Sequence, residues 1–142
     1  MPVSAASEQA AELFKLGKFQ EAARVVSEAI ADGESADLWN DWAVAQFGMG
    51  ELEDAERALR RALSLEAENR QTAENLGALL ASQNRLREAI PLLERALEGA
   101  EEPVRTTLST LLEECERAEN AASATDADDV AKEPSQRGQA GG

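Results

Sequence analysis

The residues able to do chemistry in this sequence are few. Of its 142 residues none is His, one is Cys (Cys115), and 28 are Asp or Glu against 14 Lys or Arg. Zinc sites need Cys or His at close spacing, and a reactive thiolate needs a base or cation beside it. One Cys with no His supplies neither, so Cys115 reads as a small buried hydrophobe. Glycine-rich phosphate loops and nucleophile elbows are also lacking. The acidic cluster Glu51, Glu53, Asp54 and Glu56 could in principle serve acid–base chemistry. It stands at a predicted helix start, where carboxylates favour the free N–H groups. Catalysis by this chain alone is therefore not expected, and no cofactor is implied.

The other unusual grouping is aromatic. "ADLWNDWAVAQFGMGE", from Ala36 to Glu51, holds both tryptophans, Trp39 and Trp42, and Phe47, one of three phenylalanines. Such rings either bind a ligand or pack a core, and the elements around them must decide.

Composition points to helices. Ala, Leu, Glu and Arg dominate, and β-branched and aromatic residues are scarce. No apolar run approaches the roughly 20 residues that span a bilayer. The amino terminus lacks the pattern of a secretory signal, and a lone Cys excludes an internal disulfide. A cytoplasmic location is expected. The net charge of −14 argues against nucleic acid and anionic membrane surfaces as partners.

The chain repeats itself. Gly17, Gly50 and Asn84 fall at one place; so do Ala22, Ala55 and Ala89, and again Ala29, Ala62 and Ala96. Between each alanine pair lies Val26, Leu59 or Leu93. Each unit reads as two amphipathic helices, the first ending at a Gly or Asn suited to a left-handed C-terminal residue. The spacing predicts helices over 4–16, 19–31, 37–49, 52–65, 71–83 and 86–98. Gly48 and Gly50 mark a tight turn, and Pro91 predicts a kink or a late start for the sixth helix. Pro103 opens another helix, with Val104, Leu108, Leu111, Leu112 and Cys115 on one face, suited to cap the last unit. Residues 121–142 have one large aliphatic side chain, Val130, and are expected to be disordered. The expected division is thus a folded domain over 1–120 and a tail over 121–142.

These units resemble tetratricopeptide repeats, whose pattern places Trp, Leu, Gly and Tyr in the first helix and an alanine pair in the second. The second unit supplies Trp39, the third Leu76 and Gly77, and all three the alanine pair. The family's closing proline is replaced by Glu34, Ala67 and Glu101. The resemblance covers residues 4–100 and implies an all-α right-handed solenoid of three helical pairs plus the capping helix. It implies packing roles for Trp39, between the helices of a unit, and for Trp42, at a junction between units.

The family's partners lie in a concave groove lined by the first helices. The matching places are Asp37, Asn40, Asp41, Val44 and Phe47 in the second unit, and Gln71, Glu74, Asn75, Ala78 and Ala81 in the third. In the first unit they are Ser4, Ser7, Glu8, Ala11 and Phe14. Asn75 falls where groove asparagines hold a ligand's backbone, and Phe47 is a contact candidate. No Lys or Arg is expected beside Asp37, Asp41 and Glu74. The subclass that grips acidic chaperone tails has a basic clamp. Here its places hold Ser7, Ala11, Asp41, Gln71 and Asn75, so that ligand is not expected. The implied function is a protein–protein interaction module, an adaptor or scaffold, for a neutral-to-basic peptide or helix. The alternatives are an accessory domain of an enzyme such as a glycosyltransferase or methyltransferase, and self-association of stacked repeats.

Overall fold

The computed structural model describes the backbone of residues 3–141 and the side chains of residues 3–125. All of its described regular structure is helical: α1 Val3–Lys15, α2 Phe19–Asp32, α3 Ala36–Gly48, α4 Leu52–Leu65, α5 Arg70–Ser82, α6 Leu86–Leu97 and α7 Val104–Gly141. The first six form antiparallel pairs that stack in chain order, and α7 packs against α6 and α5. The result is an all-α repeat solenoid with a capping helix. The six paired helices match the sequence-predicted spans within one residue at each end.

The punctuation explains this agreement. Gly17, Gly50 and Asn84 have φ of 72°, 79° and 60°, the left-handed region open to Gly and tolerated by Asn. After each, the chain closes the helix with the same bond. Lys18, Glu51 and Arg85 donate their backbone N–H to the carbonyls of Leu13, Gln46 and Leu80 at 2.9, 2.8 and 2.9 Å. That is the six-to-one bond of a Schellman motif, repeated in every unit. Ser35 and Asn69 cap the starts of α3 and α5, accepting from the N–H of Leu38 and Thr72.

The alanine columns form the spine. Ala22, Ala29, Ala55, Ala62, Ala89 and Ala96 are all buried, as are Val26, Leu59 and Leu93 between them. One cluster centres on α1 and α2, a larger one on α3 to α7, and Trp42 touches both. That is the junction role expected of Trp42. Trp39 packs into the larger cluster, while its indole N–H donates to Glu34 at 3.0 Å. Glu34 also accepts two bonds from the Arg61 guanidinium. One unit on, Arg95 donates to the Ala67 carbonyl at 2.8 Å. Glu34 and Ala67 stand at the place of the family's closing proline, so an arginine from the second helix ties the first two of the three loops that lack it.

Several expectations need correction. Gly48 does not serve the turn; it ends α3, and the Phe19 ring lies so close that a Cβ there would sit 2.4 Å from it. α6 starts at Leu86 and continues past Pro91 to Leu97, so the late start does not occur. The exposed Pro91 faces away from the core that holds Leu86, Ala89 and Leu93 in place, and that burial carries the helix through the missing bond. The backbone of α7 runs as helix from Val104 to Gly141. Ala121–Thr125 are all exposed, so that stretch adds bonds within the helix and no core.

The amino-terminal face is also informative. In the second unit the positions turned toward the preceding unit are Leu38, Trp42 and Ala45, buried or half-buried, and Gly48 under Phe19. One repeat earlier stand Ala5, Gln9, Glu12 and Lys15, and the last three are exposed. Lys15 pairs with Glu12 at 3.2 Å. The outer face of α1 is thus polar where the matching face of α3 is apolar.

Candidate functional site

Two adjoining hollows lie along α3 and α5. The first is an apolar cleft of about 250 Å³ with Ala43, Val44 and Phe47 of α3 on one wall. Asn75, Ala78, Leu79 and Ser82 of α5 form the other, and Ala55 and Leu59 of α4 the floor. The second is a polar hollow around the start of α5, lined by Glu66, Glu68, Asn69, Arg70, Gln71, Glu74 and Asn75. Asn75 borders both, so one amide joins an apolar seat to a polar one.

Of the sequence-predicted residues, the structure brings Val44, Phe47, Asn75 and Ala78 together in the cleft. Gln71 and Glu74 join Asn75 in the polar hollow. Phe47 is 54% exposed, so its ring forms an open edge of the apolar cleft. Asp41 is half-buried and accepts a 2.6 Å bond from the Ser7 hydroxyl, which ties α1 to α3. Burial holds its carboxyl above the ordinary aspartate range; the Ser7 bond partly offsets this, and nearby Asp37 adds to it. Asp37 itself is exposed and lies 3.5 Å from the Asn69 amide.

Asn40 departs from expectation. It is 1% exposed and does not face the groove. Its amide donates to the Thr72 hydroxyl at 2.8 Å, and its carbonyl oxygen accepts from the Asn75 amide at 3.5 Å. Thr72 in turn donates to Asn69. Asn40 is therefore a buried clamp between α3 and α5 that steadies Asn75, and not a surface contact. The cause is helical phase: Asn40 lies on the face turned toward the next unit, between Asp37 and Asp41, which remain accessible. The expectation that no base accompanies the groove acids also fails. α5 begins at Arg70, which lines the polar hollow, although its guanidinium is engaged by the Gly99 carbonyl at 2.5 Å.

Sequence reasoning missed Ser82, Leu79 and the α4 floor. Ser82 was within reach, since it continues the stripe of Gln71, Asn75 and Ala78 at helical spacing. Ala55 and Leu59 look like ordinary core from sequence, and only the gap above them makes them a floor.

Elsewhere, Cys115 is 4% exposed on the inner face of α7. Burial and the neighbouring Glu114 and Glu116 push its thiol up, which keeps it protonated. Among the described residues no three His, Cys, Asp or Glu side chains gather as a metal site. No helix among them is long and apolar enough to cross a membrane.

Comparison with known proteins follows the same lines. Residues 70–102 match the family model of the tetratricopeptide repeat, while the curated proteins offer no significant match. The fold resembles the Yersinia enterocolitica type III secretion translocator chaperone SycD, with a TM-score of 0.72 at 18% identity, over 83% of this chain and 86% of that one. SycD has also been solved with a peptide of the translocator YopD. The first tetratricopeptide domain of Spaghetti (RPAP3), bound to the HSP90 peptide SRMEEVD, gives 0.71 at 26% identity, over 80% of this chain and 92% of that one. A MamA mutant gives 0.70 at 19% identity, over 82% and 67%. Residues 70–102 thus match a tetratricopeptide repeat, and the chain as a whole shares the fold of tetratricopeptide-repeat structures.

Proposed function

We propose that this tetratricopeptide-repeat solenoid is a protein–protein interaction module, an adaptor or scaffold, that holds a neutral-to-basic segment of a partner in its concave groove. The observation that carries this reading is the pairing of hollows around Asn75. An apolar cleft with an exposed Phe47 adjoins a polar hollow whose carboxylates outnumber its one guanidinium. An amide between them can both donate to and accept from a ligand backbone, so it holds a chain of any sequence. Structural relatives lend support, because SycD and RPAP3 have been solved with bound peptides.

Charge separates this groove from that of RPAP3. The SRMEEVD peptide is acidic, whereas Asp37, Asp41 and Glu74 here would repel such a ligand. The partner therefore carries Lys or Arg near an apolar residue. The polar outer face of α1 disfavours end-to-end stacking through that face.

The test is capture of partners from the native host with the wild-type chain and with Phe47→Ala, Asn75→Ala and a convex-face control, Arg57→Ala. A partner retained by wild type and control but lost by both groove variants supports the reading. A partner retained by all three variants would place the interface elsewhere.

A further inference from the structure

The two junctions between repeats are built on the same plan, but only one is filled. At the first junction Phe14 of α1 faces Phe19 of α2, with ring centroids 6.1 Å apart and planes at 29°. The Phe19 ring reaches across onto Gly48 of the next unit, where a Cβ would lie 2.4 Å from ring carbon Cδ1. The aromatic side chain thus fills the space between the two units, and Phe14 is half-buried beneath it.

One repeat later the same three places hold Phe47, Leu52 and Ser82. Leu52 is shorter and has no ring, and it does not line the cleft. Ser82 carries the Cβ that the Phe19 ring could not tolerate at Gly48. The aromatic lid is therefore absent at the second junction. What remains is the apolar cleft of about 250 Å³ between Phe47 and Ser82, with Phe47 left 54% exposed. That volume is below the roughly 300–1,000 Å³ of small-molecule sites, and suits a single large side chain. Offset or edge-on ring contacts at such distances are favourable.

We infer that this cleft is a vacant aromatic seat, filled in the complex by a phenylalanine-type side chain of the basic partner, which packs on Phe47 as Phe19 packs on Phe14. The inference rests on the groove reading and sharpens it by naming the anchor residue. The filled first junction supplies the picture of the occupied state. Asn75 borders both hollows and Glu74 lines the polar one beside it, so a cation flanking the ligand's ring meets a carboxylate there.

The experiment uses the full chain, isotope-labelled, and a short capped Ser/Gly peptide carrying one Phe flanked by Arg residues. Two control peptides replace Phe by Ala, or the Arg residues by Glu. The Phe peptide is expected to shift the NMR signals of Val44, Phe47, Ala78 and Ser82, with the Ala peptide binding about tenfold more weakly. In the protein, Leu52→Phe combined with Ser82→Gly rebuilds the lid of the first junction and should weaken the Phe peptide by about tenfold. Phe47→Ala, at an exposed position, should do the same without disturbing the fold. Equal binding of the Phe and Ala peptides in the groove, still dependent on Arg, would overturn the aromatic seat and leave the acidic-groove reading standing. Shifts confined to the convex face would overturn both.

Discussion

The hydroxyl of Ser7 donates to Asp41 across the first junction at 2.6 Å, and across the second junction Asn75 donates to Asn40 at 3.5 Å, one repeat on. Ser7 and Asn40 occupy equivalent places, as do Asp41 and Asn75. The solenoid thus uses one polar bridge twice to set how successive first helices lie against each other. The second copy is strengthened by the buried bond from Asn40 to Thr72. Asn40→Ala removes a fully buried amide and should cost roughly 1–3 kcal/mol. Asn75→Ala should leave stability almost unchanged, since that residue is half-exposed and its bond is long. Chemical denaturation of the two variants checks this order.

Two carboxylates should answer pH in opposite ways. Burial raises Asp41 above its usual value of 3.8. Its contribution to stability is therefore full below that value and is lost as pH rises through the raised folded value. Asp41→Asn, which can still accept from Ser7, should melt higher than wild type at neutral pH and equally at pH 3. Glu56 is lowered from 4.5, chiefly by its hydrogen bonds to Arg85. Its contribution is present above 4.5 and is lost as pH falls through the lowered value. Glu56→Gln should melt lower than wild type at neutral pH, with the difference closing in acid. Melting curves across pH would show whether the two variants diverge in this way.

Close helix approach gives a third prediction. Ala89 is fully buried, and a Cβ on Gly77 would lie 2.9 Å from Leu93 Cδ2. Ala89→Leu should overpack the third unit at a cost of roughly 1–3 kcal/mol, and Gly77→Ala should act in the same direction through Leu93. A melt of either variant that matched wild type would undo the packing register of α5 on α6.

The folded domain is proposed to end near Asn120. Core burial in α7 stops at Cys115, with Glu119 half-buried and Ala121–Thr125 exposed. Truncation after Asn120 should leave the melting temperature of the solenoid almost unchanged, because little apolar surface is removed. A clear drop on truncation would show that the distal part of α7 supports the fold.

What the sequence made legible follows the range of the interactions. The left-handed places at Gly17, Gly50 and Asn84, and the alanine columns, are local signals repeated three times, so the helices could be placed within a residue. The groove stripe of Val44, Phe47, Asn75 and Ala78 followed from helical phase and family register together. The misreadings all depend on what the neighbouring unit supplies. Asn40 is buried because Thr72 lies 32 residues away in sequence but at 2.8 Å in space. Gly48 is small because Phe19 covers it, and Pro91 is tolerated because the buried residues around it hold the helix. No pattern within a single helix reports such a partner.

The last prediction concerns the encounter with the partner. Glu66, Glu68 and Glu74 line the polar hollow, Asp37 and Asp41 stand on the adjacent α3, and Arg70, the base in that hollow, is held by the Gly99 carbonyl. Carboxylates along one cleft reinforce each other's potential, focused by its low-dielectric walls. A basic ligand should therefore be steered into the groove by charge and retained by Phe47 and Asn75. Raising salt from about 0.05 to about 0.5 M shortens the screening length several-fold and should slow association. Asp41→Lys should slow it further while weakening the salt dependence. Phe47→Ala should leave the association rate nearly unaltered and speed dissociation, weakening the complex by roughly 1–2 kcal/mol. Stopped-flow measurement of both rate constants separates the two effects. A salt-independent association rate, or a Phe47→Ala effect confined to association, would contradict this division between steering acids and an anchoring ring.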